Sequence, residues 1–236
     1  MSRYYYDLHI HSCLSPCCDS DMTPNNIVNM AELCGLNIIA LTDHNSVKNC
    51  AAAMQVAKNK GITLIPGMEL TCSEEIHVIC LFSSLENATN FGEYVYARLP
   101  NIDNRPDIFG EQLILNSDDE IIGSEPKLLI NATDISIENV TGLMKQYGGI
   151  CFPAHIDKKS TSILSVLGEI PEEYTFKAVE ITKKADLNAL KLSHPALGKV
   201  LFLINSDAHY LETIQSEEAW LDLKEPTFQS IIEAYF

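Results

Sequence analysis

The chain has few basic residues and no long apolar segment. Its 236 residues include 16 lysines and arginines against 32 aspartates and glutamates, which gives a formal net charge of −16. We therefore expect no basic surface for long nucleic acid or for an anionic membrane, although bound cations would still admit a small anionic substrate. No apolar run approaches the roughly 18 residues that span a bilayer. No internal repeat or low-complexity tail is present either.

The eight cysteines form no CxxC pair, and the first dozen residues lack the hydrophobic stretch of a secretory leader. We therefore expect reduced, mostly buried thiols in a cytoplasmic protein. One alternative concerns the cluster Cys13, Cys17 and Cys18, which lies close in sequence to a histidine pair and could supply a thiolate metal ligand. Zinc sites usually recruit cysteines in closely spaced pairs, which favours the first interpretation.

Short apolar runs alternate with helical segments along most of the chain. Residues 37–42 and 62–66 have strand length and few polar side chains, which is typical of strands buried on both faces of a parallel sheet. Asn45 or Ser46 is the candidate N-cap of the helix between them, which we expect to continue to Lys60. This β-α-β-α-β order with short loops predicts an α/β architecture with parallel strands.

Residues 101–126 interrupt this alternation and carry seven acids but one base, Arg105. We interpret the interruption as an acidic excursion or lid at about 101–135, with a possible hairpin turn at 116–119. A solvated acidic loop is the alternative. The chain as a whole, 1–236, is predicted to form a single domain.

Polar side chains gather near the ends of the predicted strands. His9 and His11 lie two apart in an extended segment, so both side chains point to the same face. Such a pair can chelate one divalent ion, although this spacing also occurs by chance. The full set of candidate ligands is His9, His11, Asp19, His44, Glu69, His77, His155, Asp207 and His209.

Nine candidate ligands are enough for two or three metal ions with open positions for water. Most of them follow the carboxyl ends of predicted parallel strands, which meet at one end of a barrel. His77 instead stands at the start of its strand, whose direction is left open. A set of buried core histidines is the alternative to a metal site.

Five successive motifs resemble those of the PHP (polymerase and histidinol phosphatase) family. They are DLHIHS, LTDH, the GMEL-to-HV segment, the PAH strand end and NSDAH, which together span residues 7–209. The resemblance implies a distorted (β/α)7 TIM-like barrel with a di- or trinuclear metal site at the C-terminal ends of its strands. It also implies phosphoester hydrolysis as the usual activity.

The resemblance further implies how the ions would share their ligands. Glu69 would bridge the first ion to the second, and the third would use an acid from the loop after the first strand. Asp19 matches that acid only if an insertion is allowed, and Asp21 is the alternative. The other ligands would be His9, His11 and Asp207 on the first ion, His77 and His155 on the second, and His44 and His209 on the third.

We predict catalytic roles for three residues and substrate binding for a fourth. Glu69 would bridge the ions that share the attacking water. The leaving oxygen would be stabilised near His209 or protonated by Asp43, and Asp43 is mainly expected to orient a neighbouring ligand. Lys158 stands where the family often has a phosphate-contacting arginine. A lysine neutralises phosphate only as a point charge, and a plain surface lysine is the alternative.

We therefore expect a metal-dependent phosphoesterase that hydrolyses a small phosphomonoester or a nucleotide by a metal-activated hydroxide. The acidic balance argues against long nucleic acid as a substrate. Mixed nitrogen and oxygen ligands suit zinc, iron or manganese. An amidohydrolase-type hydrolase and a catalytically silent metal-binding regulatory domain are the alternatives, and the oligomeric state is open.

Overall fold

The computed structural model describes residues 1–216 and 218–236. Within this part of the chain no helix is long and apolar enough to cross a membrane. The strands are β1 (Ser2–Ile10), β2 (Ile38–Leu41), β3 (Thr63–Thr71), β4 (His77–Phe82), β5 (Leu113–Leu115), β6 (Ile121–Ser124), β7 (Gly149–Pro153), β8 (Ala178–Ile181), β9 (Leu201–Ile204) and β10 (Trp220–Leu223). The helices are α1 (Pro24–Leu33), α2 (Cys50–Lys60), α3 (Leu85–Tyr96), α4 (Pro106–Phe109), α5 (Ile137–Gln146), α6 (Ile163–Leu167), α7 (Leu187–Ser193) and α8 (Phe228–Tyr235).

The main sheet has the strand order β10-β1-β2-β3-β4-β7. Strands β1, β2 and β3 are parallel, as the sequence predicts, whereas β4 is antiparallel to both of its neighbours. Strands β8 and β9 form a separate parallel pair. This pair lies between the two ends of the curled sheet, because β8 contacts β7 and Ala208 after β9 bridges Ile10 of β1.

The architecture is thus a mixed α/β fold with a curled sheet. Regular strand pairing does not continue around a closed ring among the described residues, because β7 meets β8, and β1 meets the segment after β9, through isolated backbone bonds only. Strands β4 and β10 also break the parallel pattern. The mixed α/β class is confirmed, whereas the distorted (β/α)7 TIM-like barrel is not confirmed and stays a prediction.

Two apolar cores cover opposite faces of the strands, which explains why these segments have few polar side chains. In β2, Ile38 and Ala40 belong to one core, and Ile39 and Leu41 belong to the other. All four side chains are buried. Because both faces are covered, the places left for a polar site are the strand ends.

Close packing of β3 on β4 depends on Gly67, which precedes the candidate ligand Glu69 by two residues. A Cβ at Gly67 would lie 2.9 Å from the carbonyl oxygen of Cys80 and 2.8 Å from a methyl group of Leu81. A larger residue would therefore push the two strands apart and displace the carboxylate that follows.

Helix α2 begins later than the sequence predicts. Asn45 adopts a left-handed conformation with φ +48°. Its amide nitrogen donates to the carbonyl oxygens of Leu129 and Asn131, and its Oδ1 accepts from the Thr71 N–H. Because these bonds occupy the side chain expected to cap the helix, α2 starts only at Cys50.

The acidic excursion forms a β-hairpin, β5–β6, with its turn at residues 116–119, as the sequence analysis suggested. Asn116 Oδ1 accepts from the backbone N–H groups of Asp118 and Glu120 and so stabilises the turn. Beyond the hairpin, the buried Glu125 forms an ion pair with Lys48. The segment is therefore ordered, and its function as a lid stays a prediction.

Candidate metal centre

The histidine pair at the carboxyl end of β1 lies beside an aspartate from the loop after β9. His9 Nε2 is 3.0 Å from His11 Nε2, and Asp207 Oδ1 is 3.2 Å and 3.3 Å from these two nitrogens. The ligand atoms of a tetrahedral ion with bonds of about 2.0–2.1 Å lie about 3.3 Å apart. The spacing of these three atoms therefore suits a shared ion.

The buried carboxylate of Glu69, on β3, lies at the centre of the site. Each of its oxygens faces a different set of imidazole nitrogens. The distances are 2.8 Å to His77 Nδ1, 3.2 Å to His155 Nε2 and 3.4 Å to His9 Nε2 from Oε1, and 3.0 Å to His44 Nδ1 and 3.3 Å to His11 Nε2 from Oε2.

Eight of the nine candidate ligands meet in this cluster, and Asp19 does not. Among the described residues, three overlapping groups have ligand atoms within 4.8 Å of one another. They are His9, His11, Glu69 and Asp207; His44, Glu69 and His77; and His11, His44 and His209. The first group is the expected ligand set of the first ion. His155 joins the cluster through its contact with Glu69.

The unpaired state of two buried nitrogens tests whether these residues fit a metal. His44 Nδ1 and His155 Nδ1 are buried and have no hydrogen-bond partner among the residues that the structure describes. Glu69 Oε2 lies only 3.0 Å from His44 Nδ1, yet the geometry is not that of a hydrogen bond. Two close polar atoms that do not bond to each other are what ligands of one ion show. The donor set therefore fits divalent metal ions.

Two of the site residues have left-handed backbone conformations. His155 has φ +29° and Asp207 has φ +53°. Such conformations are costly for residues other than glycine and persist where surrounding structure holds them, often at functional sites. Both side chains are thereby directed into the cluster.

Glu180 on β8 orients two of the histidines and is not among the candidates predicted from the sequence. Its carboxylate accepts from His9 Nδ1 at 3.0 Å and from the His155 backbone N–H at 3.0 Å. The Asn205 amide donates to its other oxygen at 2.7 Å. Because His9 donates from Nδ1, its Nε2 is left free for a metal. The available signal was a carboxylate within an otherwise apolar predicted strand.

Ser15 is a second missed residue, and it links Asp43 to the histidines. Its hydroxyl donates to Asp43 Oδ1 at 2.7 Å and accepts from His11 Nδ1 at 3.0 Å. Ser12 also donates twice to Asp43, from its backbone and its hydroxyl. Asp43 therefore acts on His11 through Ser15, as a positioning residue. Its role in protonating a leaving group stays a prediction.

Without a metal, the carboxylate and the imidazoles of the cluster stabilise each other's charged forms and so shift each other's pKa. Burial alone would lower the pKa of His44, but the Glu69 carboxylate raises it to about 10. Burial would raise the pKa of Glu69, but the adjacent imidazoles of His77 and His9 hold it well below its usual range. A metal must therefore displace protons from the imidazoles when it binds.

The acid expected for the third ion lies outside the cluster. Asp19 is exposed, and its Oδ1 accepts from the Asp21 backbone N–H at 2.9 Å. Asp21 is exposed as well. The exposed Cys17 thiol of the same loop also lies outside the three ligand groups.

The interaction with the adjacent Cys18 thiol, with smaller contributions from His209 and His44, lowers the pKa of the Cys17 thiol. Cys17 therefore has more thiolate character than an isolated cysteine.

Lys158 lies beside the cluster rather than on a remote surface. Its ammonium group forms an ion pair with Asp207 Oδ2, and it lines a cavity of about 590 Å³ together with His155. The exposed Lys183 and Lys184 also line this cavity. Three acids, Glu180, Asp207 and Glu212, line the same cavity, and Lys183 Nζ lies 2.7 Å from Glu218 Oε2. Substrate binding by Lys158 stays a prediction.

Several known proteins are similar to parts of this chain. A 5′-3′ exoribonuclease from Haemophilus influenzae is 38% identical over 79 residues, which are 32% of this chain and 28% of that protein. Endonuclease Q from Pyrococcus furiosus has a TM-score of 0.74 at 20% identity, over 99% of this chain and 56% of that one. A putative metal-dependent phosphoesterase from Bifidobacterium adolescentis has a TM-score of 0.61 at 17% identity, over 97% and 94%. The two structural likenesses show a shared fold.

The expectation that long nucleic acid is excluded is wrong. One curated relative is an exoribonuclease, and an endonuclease Q of the same fold has been solved with a 27-mer duplex substrate. Net charge is a sum over the whole surface, whereas bound metal ions can be the largest charges within a site. A formal charge of −16 therefore does not exclude a nucleic acid substrate.

The PHP domain model matches residues 7–160, which is more than half of the chain. Asp207 and His209 lie beyond this match, but the fold brings both into the same cluster as the matched histidines. With the family model, the shared fold and the ligand cluster in agreement, the chain belongs to the PHP domain family, whose members are metal-dependent hydrolases.

Proposed function

We propose that this protein is a metal-dependent phosphoesterase that hydrolyses a phosphoester bond of a nucleotide or of a nucleic acid strand. The observation that carries the proposal is the buried Glu69 carboxylate, whose two oxygens face different imidazoles. A carboxylate placed in this way is suited to bridge two divalent ions. Zinc, iron and manganese all accept such mixed nitrogen and oxygen ligands.

The ligands of each ion are part of the proposal. Bound divalent ions lower the pKa of water toward neutrality and neutralise charge on phosphoryl oxygens. Glu69 would bridge the first two ions. The histidine and aspartate ligands would be His9, His11 and Asp207 on the first ion, His77 and His155 on the second, and His44 and His209 on the third.

The chain's own contribution is to hold these ligands in one protonation state and orientation. Glu180 accepts the Nδ1 proton of His9, and Ser15 accepts that of His11, so both Nε2 atoms face the cluster. Asp43 in turn fixes the Ser15 hydroxyl. Preorganised ligands need no rearrangement when the substrate reacts.

The cavity beside the cluster supports a phosphate-containing substrate. Lys158, Lys183 and Lys184 line it although the chain as a whole has a net charge of −16. Ammonium groups neutralise phosphoryl oxygens as point charges and raise the local concentration of anions. The exoribonuclease relative supports a nucleic acid strand in particular, although the chain spans only 28% of that protein.

Replacement of Glu69 by glutamine tests the proposal. Glu69→Gln keeps the size of the side chain but removes a bridging charge, so we expect phosphoesterase activity to fall at least a hundredfold and the metal content to drop. The exposed Glu173→Gln is the matched control and should change neither quantity. Full activity and full metal content in Glu69→Gln would contradict the proposal.

A substrate panel separates the proposal from its two rivals. It should contain p-nitrophenyl phosphate, mononucleotides, short RNA and DNA strands, and a p-nitroanilide amide. We expect release of phosphate or nucleotides and no turnover of the amide. Turnover of the amide alone would favour an amidohydrolase, and metal binding without turnover of any compound would favour a regulatory domain.

A further inference from the structure

We propose that Asn49 is a positioning residue of the metal centre, which couples the β5–β6 hairpin to the metal ligand His11. The coupling runs through a chain of buried hydrogen bonds that begins at the backbone of β5 and ends at the His11 ring. This inference deepens the proposed function and rests on its metal centre. It gives the acidic excursion a part in holding the ligands.

Asn49 immediately precedes α2, yet its side chain does not cap this helix. Asparagine at this position commonly accepts a hydrogen bond from one of the first backbone N–H groups of a helix. The Asn49 side chain makes no such bond, although it is fully buried. A buried amide needs hydrogen-bond partners, and those of Asn49 lie outside the helix.

Two of these partners are backbone groups of β5. Asn49 Oδ1 accepts from the Leu115 N–H at 2.9 Å, and Asn49 Nδ2 donates to the Leu113 carbonyl oxygen at 3.1 Å. The amide thus bonds to a donor and an acceptor of the strand at the same time. Asn49 therefore holds the hairpin in a fixed register against the start of α2.

The same amide nitrogen also bonds toward the metal centre. Asn49 Nδ2 donates to Ser12 Oγ at 3.0 Å, and Ser12 Oγ donates to Asp43 Oδ2 at 2.7 Å. Asp43 Oδ1 accepts from the Ser15 hydroxyl at 2.7 Å, and that hydroxyl accepts from His11 Nδ1 at 3.0 Å. Four consecutive hydrogen bonds therefore connect Asn49 with a metal ligand.

The donor and acceptor roles along this chain are fixed. A hydroxyl group has a single proton, and both Ser12 and Ser15 donate theirs to the Asp43 carboxylate. Ser12 Oγ can therefore only accept from Asn49, which requires the amide nitrogen at this place. A flipped amide would put its oxygen against two acceptors, so only one orientation of Asn49 satisfies the chain.

Burial makes the chain sensitive to the loss of any member. Its side chains are all buried: Asn49, Ser12, Asp43, Ser15 and His11. A polar group that loses its partner in such surroundings has no water to replace it. A displacement of the hairpin is therefore transmitted to His11. Because coupling between two sites is reciprocal, a metal bound at His11 should restrain the hairpin in turn.

Amide hydrogen exchange of the full chain, with and without Zn²⁺, measures this coupling without relying on activity. Mass spectrometry follows the peptide that contains residues 113–124. We expect Zn²⁺ to slow exchange of this peptide at least fivefold in the wild type and less than twofold in Asn49→Ala. The control Asn59→Ala, on an exposed residue of the same helix, should keep the wild-type slowing. If Asn49 only stabilised the hairpin, Asn49→Ala would speed exchange equally in both conditions and leave the effect of Zn²⁺ unchanged.

A second variant removes the next link of the chain. Ser12→Ala leaves both bonds from Asn49 to β5 in place but separates Asn49 from Asp43. We expect the same loss of the Zn²⁺ effect on the hairpin. Chelator competition should show that both variants bind Zn²⁺ at least threefold less tightly, because the orientation of His11 is less well fixed. If Asn49→Ala does not fold, Ser12→Ala and the wild-type measurement still decide the question.

The outcomes separate this inference from the proposed function. Zn²⁺ binding that does not slow exchange of the hairpin in the wild type overturns the inference alone, and so does slowing that persists in both variants. A chain that shows the coupling but hydrolyses no phosphoester supports the inference and overturns the proposed function. A chain that binds no divalent ion overturns both.

Discussion

Glu180 is buried, and its carboxylate holds both His9 and the His155 backbone. Replacing it by glutamine removes a charge while nearly preserving shape, so His9 loses its fixed tautomer. We expect Glu180→Gln to lower metal affinity about 10–100-fold, as is typical for partners of metal-bound histidines. Chelator competition measures the affinity, with the exposed Glu173→Gln as control. Unchanged affinity in Glu180→Gln would show that His9 needs no such partner.

The raised pKa of His44 predicts opposite pH dependences for stability and for metal binding. Its pKa rises from 6.5 to about 10 in the folded, metal-free chain. The native state therefore binds more protons than the unfolded state between these values. The contribution to stability is complete below pH 6.5 and is lost as pH rises through about 10. The metal competes with the same proton, so metal affinity rises across this window.

Both dependences can be measured on the same samples. Melting temperatures of chelator-treated protein should fall from pH 6.5 toward pH 10, while affinity should increase by up to about tenfold per pH unit for each proton released. The variant His44→Gln should flatten both curves, and His194→Gln, on a residue outside the cluster, should leave them unchanged. Identical slopes in the wild type and in His44→Gln would show that the His44 imidazole does not cause these pH dependences.

For single residues, the sequence predicts members of a motif better than it predicts residues that act through hydrogen bonds. His9 and His11 are visible from their spacing alone. Glu180 bonds His9 across 171 positions of sequence, so no local pattern reveals it. Asp19 lies outside the cluster for a local reason. Its carboxylate accepts from the backbone N–H two residues later, and aspartate commonly forms a turn of this kind. Motif matching cannot predict whether this carboxylate binds its own turn or a metal ion.

The hairpin β5–β6 is connected to helix α1 mainly by Asp119, whose φ is +59°. Its carboxylate accepts from the Thr23 hydroxyl at 2.6 Å and from the Asn25 backbone N–H at 3.1 Å. This acid therefore satisfies donors at the start of the helix. We expect Asp119→Ala to destabilise the fold by about 1 kcal/mol, the usual loss for a helix cap.

Urea unfolding measures this loss, with the adjacent Asp118→Ala as control because only the backbone of Asp118 bonds the turn. If the hairpin is a lid, Asp119→Ala should also raise KM while leaving metal content intact. Equal stabilities for Asp119→Ala and Asp118→Ala would mean that the hairpin does not depend on this contact.

An apolar run predicts that a buried strand is present, but it does not predict the direction of that strand. The runs that became β2 and β3 were recognisable because both faces are buried. The direction of β4 is not encoded in such a run. Chain length does constrain it, because only five residues separate Thr71 from His77 and a parallel crossover needs a dozen or more. The antiparallel β4, and with it the departure from a regular barrel, follows from that short connection.

For the whole molecule, the acidic surface and the local cations must be considered together. A strand bound through a broad basic surface contacts many phosphates, and its affinity falls steeply with salt. Here the net charge is −16, and the cations near the site are Lys158, Lys183 and Lys184. The proposed nucleic acid substrate would therefore be held mainly at the reacting phosphate and its immediate neighbours.

This arrangement predicts a weak dependence of KM on salt for a single-stranded oligonucleotide. With about three phosphate contacts, and about 0.7 counterions released for each, log KM should rise with log salt with a slope of at most about 2. The double variant Lys183→Ala/Lys184→Ala should reduce this slope by about half or more. The matched variant Lys58→Ala/Lys60→Ala, on exposed lysines at the far end of α2, should not change it. A slope of about 5 or more, insensitive to Lys183 and Lys184, would place binding on a different surface and contradict the assignment of the cavity as the substrate site.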